Sequence, residues 1–96
     1  MKSARVLRLT SGEHIICELL DKQPDEECIR VKFPFVVTHD IESRRLMYSP
    51  FAPFSTATGL VDVRKTSLTF MSVPSSHLVD QYVDLLEGNL NQSADE

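Results

Sequence analysis

The sequence contains no tryptophan, only three glycines and only two cysteines, and each shortage excludes something. Three scattered glycines cannot furnish a phosphate-cradling loop or a dinucleotide fingerprint, and no GxSxG or HExxH pattern occurs either. Cys17 and Cys28 are too few and too widely spaced for a zinc knuckle or a CxxC redox pair. No apolar run approaches the ~18 residues of a membrane helix, so no membrane association is expected. Met1-Lys2-Ser3 leads straight into a strand-like segment without a visible secretory leader. The expectation is a cytoplasmic protein (host cytoplasm if the source is viral) with both thiols reduced and buried. The length of 96 residues, 42% hydrophobic and 25% charged, suits one small domain with a thin core of its own.

Charge of one sign is missing from the end of the chain. Residues 1–65 hold all ten Lys and Arg against nine acids, whereas 66–96 hold five acids and no Lys or Arg, within a net charge of −4. Proteins that live on phosphate contacts are usually basic over at least one face, so duplex DNA is not the expected partner. Local basic spots remain at Arg64-Lys65, at Arg44-Arg45 and around Lys2, Arg5 and Arg8.

Most of what is present reads as short strands. Residues 5–10 lean to β structure and end at Ser11-Gly12-Glu13, a tight turn. In the next run Ile15, Cys17 and Leu19 share one face while Ile16 and Leu20 make the other partly apolar, as a strand buried on both sides requires. Lys22 to Glu27 is a polar loop with a proline. Ile29, Val31, Phe33 and Phe35 then alternate with Cys28, Arg30 and Lys32, and Pro34 marks a bulge, a kink or an unpaired edge. Leu46 and Tyr48 alternate before Ser49 to Phe54 interrupts the ladder; Val61 and Val63 resume it, and Leu68 to Val73 forms the last strand. About five strands with short turns predict a small barrel or sandwich. After Pro74 the period changes: Leu78, Tyr82, Leu85 and Leu86 recur at helical spacing behind a serine N-cap, and Gly88 suits the position after the helix.

The strand order and loop residues resemble the Sm/LSm family. Leu9, Gly12, Ile15, Cys17 and Leu19 fall on the apolar, Gly, apolar, small and apolar positions of its first signature. Val63-Arg64-Lys65-Thr66-Ser67-Leu68 is similar to its second, with Gly59 and Val61 at the usual upstream places. The resemblance implies a mainly β fold. It would be a five-stranded, strongly bent Sm-like (SH3-like) barrel over about 4–73, with a C-terminal helix over about 75–88 and a frayed tail at 89–96. It also implies a homo-oligomeric ring of about five to seven copies, which would satisfy the open strand edges. Single-stranded RNA is the implied ligand, with Arg64 stacking on a base and Lys65 and Gln23 beside it. Departures from the pattern matter. Gln23 stands where the family has an Asp, Glu26-Glu27 where it has a Met-Asn pair, and Lys65 where it has a Gly. No room precedes Arg5 for the family's N-terminal helix. The chain looks like a divergent Sm-like protein, resembling the small ones of marine phages and environmental sequences more than the spliceosomal ones.

No enzyme, metal site or cofactor is expected. His14, His39 and His77 read as scattered surface histidines, and Asp25-Glu26-Glu27 as a solvated turn. Tyr48, Phe51 and Phe54 form an aromatic stretch near Arg44-Arg45. It is either a base-stacking platform or a filling for a subunit interface. Two functional readings follow: an RNA-binding ring, or an oligomeric scaffold that has lost RNA binding, which the acidic residues favour.

Overall fold

The computed structural model describes residues 1–51 and 59–88. It contains strands β1 (Ala4–Leu9), β2 (His14–Leu19), β3 (Cys28–Asp40), β4 (Arg45–Pro50), β5 (Leu60–Arg64) and β6 (Leu68–Ser72), then helix α1 (Ser76–Leu86). All ladders are antiparallel, in the order β4-β3-β2-β1-β6, with β5 also on β3. The expected five-stranded barrel is corrected on two counts. The described residues form six strands, and among them no ladder joins β6 to β4 or β5, so the sheet they form is open. No helix among the described residues is long and apolar enough to cross a membrane.

The extra strand arises because β3 is 13 residues long and serves two partners on one edge. Its first half pairs with β5, Cys28 opposite Arg64 through Lys32 opposite Leu60. Its second half pairs with β4, Phe35 opposite Pro50 through Asp40 opposite Arg45. The junction is a bulge. Ile16 faces Phe35 and Glu18 faces Lys32, so Cys17 alone opposes Phe33 and Pro34. Phe33 sits at φ 48, rare for a bulky residue. Its N–H donates to the Gly59 carbonyl at 2.9 Å, and the Pro34 carbonyl accepts from the Phe51 N–H at 3.1 Å. Gly59 is at φ 69, and a Cβ there would lie 2.5 Å from Phe33 Cδ1. Close approach and backbone conformation both demand glycine.

The bulge overturns the expected common face of Ile29, Val31, Phe33 and Phe35. One extra residue flips every later side chain to the other side of the sheet. Ile29 and Val31 therefore join Leu7, Leu9, Ile15, Cys17 and Val63 in an inner cluster with Leu19, Val61 and Leu68 against it. Phe35 turns to the outer face, and Phe33 is left 36% exposed.

Helix α1 covers that outer face. Ser75 caps it, its Oγ accepting from the Leu78 N–H at 3.3 Å, and the chain turns out at Glu87 and Gly88. Tyr82, completely buried, packs with Ala4 and Ile16, and Leu78, Val79, Leu86, Phe35, Val37 and Tyr48 close round them. Its hydroxyl donates to the Phe33 carbonyl at 2.8 Å, with the Lys32 carbonyl at 3.3 Å. The helix thus supplies the donor that the bulge removed from the ladder.

Candidate functional site

The Arg64–Lys65 turn and the loop between β2 and β3 lie at one end of the sheet. Pairing of Cys28 with Arg64 brings them together, and the Lys65 N–H donates to the Glu27 carbonyl at 2.8 Å. Arg64 ends β5 with its side chain exposed, and Lys65 opens a single 3-10 turn, Lys65–Ser67, that leads into β6. Of the Arg64, Lys65 and Gln23 positions grouped from the sequence, Lys65 is bonded to the loop that carries Gln23 through Glu27, while the hydrogen bonds of Gln23 go to Leu20 and Arg30.

Gln23 has a task of its own. Its Nε2 donates to the carbonyls of Leu20 (2.6 Å) and Arg30 (3.2 Å), and its Oε1 accepts from the Arg30 N–H (2.7 Å). All of these bonds fasten the loop across its neck. Asp25 does similar work: its Oδ1 accepts from the Glu27 and Cys28 N–H groups at 2.8 and 3.0 Å. Glu26 and Glu27 remain exposed on the same loop. Beside them the Arg30 fork grips both Asp62 oxygens, at 2.7 and 3.0 Å, across the β3–β5 ladder. That bond holds the Asp62 carboxyl below its ordinary value. The pair could not be read from the sequence, because it depends on the register between β3 and β5, which brings together two residues 32 positions apart.

The aromatic stretch is not one patch. Tyr48 lies on the outer face, its hydroxyl donating to Gln81 Oε1 on α1, while Phe51 packs on the inner cluster. Phe54 lies outside the described residues. Burial pushes the Tyr48 hydroxyl above its ordinary range. The histidines, by contrast, are less scattered than their spacing suggests. His39 and His77 line one groove with Arg44 and Arg45, between β4 and α1.

Both cysteines are free thiols, but only Cys17 is buried; Cys28, at the start of β3, is half-exposed. Burial pushes the Cys17 thiol up to about 12, opposed by the nearby Arg5 charge. A maleimide applied to the native protein should label Cys28 and spare Cys17, as peptide mass mapping would read. Equal labelling would contradict the inner cluster. The same burial sets an alkaline limit. Cys17 and Tyr82 are both raised in the fold, so the unfolded chain loses these protons first. Their contribution is intact at neutral pH and is lost as pH climbs from about 9 towards 12. The urea midpoint should fall steadily over that range; a flat profile would be the contrary result.

Compared with known proteins, the chain matches no protein-family model and has no significant match among curated proteins.

Proposed function

We propose that this chain is an Sm-like, ring-forming subunit whose copies join edge to edge, and that its ligand is single-stranded RNA held at Arg64 and Lys65. The observation that carries the reading is the β6 edge. Among the described residues β6 pairs only with β1; it contains no charged residue and leaves Phe70 46% and Met71 43% exposed, with Val73 at 74% just beyond. Met71 is the register partner of Leu7, so the apolar inner face runs out to an unpaired edge. Edge strands of monomers are normally blunted by charge, proline or a covering element. Leu60 on β5 and Met47 on β4 leave apolar side chains exposed near the opposite edge. A second copy brought there would pair strand to strand and bury both rows.

The RNA half of the proposal rests on Arg64, exposed at the end of β5 and planar enough to stack on a base. One observation favours the scaffold reading instead: the loop carrying Glu26 and Glu27 is hydrogen-bonded to the Lys65 backbone. Carboxylates beside the arginine repel phosphate.

Native mass spectrometry of the protein as purified from cells tests both halves. A complex of about five to seven copies, carrying mass that ribonuclease removes, is the expected result. A ring without that mass leaves the scaffold; a monomer or dimer overturns the proposal. Arg64→Ala should weaken oligo(U) binding by about 1–3 kcal/mol, the worth of one stacked base. Unchanged affinity in a fluorescence anisotropy titration would remove Arg64 from the site.

A further inference from the structure

We propose that the groove between β4 and α1 is a second site, which binds a small organic phosphate with a flat or apolar body. The groove holds about 850 Å³, within the ~300–1,000 Å³ range of ligand pockets. His39, Arg44, Arg45 and His77 line it, and no Asp or Glu does. This concentration of cationic and imidazole groups occurs in a chain of net charge −4.

The arginines are not spent on the fold. Among the described residues no carboxylate pairs with either. Asp40, opposite Arg45 in the ladder, turns both oxygens into its own turn, Oδ1 accepting from the Glu42 N–H at 3.2 Å and Oδ2 from the Ser43 hydroxyl at 2.9 Å, and neither it nor the exposed Glu42 lines the groove. The Asp40 carbonyl takes the Arg44 N–H at 2.8 Å. Asp80 and Asp84 of α1 are exposed and do not line the groove. Leu46 and Leu85 supply apolar walls, and the Tyr48–Gln81 bond ties the two elements together.

That combination selects the ligand. Two guanidinium groups lining one groove suit the several oxygens of a phosphate, and apolar walls reward a compact organic body. The site is distinct from the Arg64 turn and does not depend on RNA binding there.

The test is a two-dimensional NMR titration of the full chain with AMP and with phenyl phosphate, with adenosine as the uncharged control. The expected result is movement of the His39, Leu46 and His77 amides with either phosphate and not with adenosine. Arg45→Ala should weaken binding about tenfold, the loss of one charge-assisted bond. Arg44, at φ 59, is better tested as Arg44→Asn, because Asn tolerates that backbone. Arg64→Ala should leave AMP binding unchanged, which separates this site from the proposed RNA site. Silence with both phosphates, or full affinity in Arg45→Ala with its spectrum intact, would overturn the proposal. So would tighter binding of polyglutamate or oligo(U) at the same amides, which would give the groove to a macromolecule.

Discussion

Tyr82→Ala should destabilise the protein by about 3–5 kcal/mol, the usual cost of emptying a buried aromatic site. A domain this small has about 5–15 kcal/mol to lose, so the variant should unfold on mild heating. The ring is completely buried at the centre of the only cluster that holds α1 to the sheet among the described residues. Its hydroxyl also serves the bulge, donating to the Phe33 carbonyl at 2.8 Å. Tyr82→Phe separates the two roles. It keeps the ring and strands a partly buried carbonyl, for about 1–3 kcal/mol. Urea unfolding followed by circular dichroism reads both variants. If Tyr82→Phe costs as much as Tyr82→Ala, the hydroxyl and not the ring anchors the helix; if neither matters, the helix is not held by this cluster.

Leu7→Ala should cost about 2–5 kcal/mol, by lost transfer energy and by the cavity left behind. Leu7 is fully buried in the inner cluster, on the strand between β2 and β6, opposite Ile15 on one side and Met71 on the other. Met71→Ala is the matched control. It lies across the ladder from Leu7 yet is 43% exposed, so in a dilute monomeric sample it should move the midpoint by no more than about 0.5 kcal/mol. A Met71→Ala effect as large as that of Leu7→Ala would mean that the β6 edge is covered, as assembly requires. Thermal melts at two protein concentrations distinguish that outcome from a local packing effect.

Much of the fold could be read from local pattern. The turn at Ser11–Glu13, the two-faced burial of β2 and the helix behind its serine cap are decided by residues within a few positions of one another, and the structure keeps all three. Helical spacing marked Leu78, Tyr82, Leu85 and Leu86 as an apolar stripe; Leu78, Tyr82 and Leu86 pack on the sheet's outer face, while Leu85 lines the groove beside β4. Alternation through Phe33 misled because a bulge has no periodic signature. Pro34 announced an irregularity there, but its effect on the faces depends on what the opposite strand does. The Arg64–Lys65 turn and the loop of Gln23 were legible as loops, and register on β3 alone brought them together.

By itself, then, the sequence determined the number of apolar faces, the turns and the C-terminal helix, because these follow from spacing along the chain. The tertiary structure decided the rest: that β4 and β5 share one edge of β3, that no strand among the described residues joins β6 to the far edge, and that His39, Arg45 and His77 meet in one groove. Those outcomes depend on contacts between distant segments. Within β3, one extra residue at Phe33 selects the face every later side chain presents and the carbonyl that Tyr82 must satisfy.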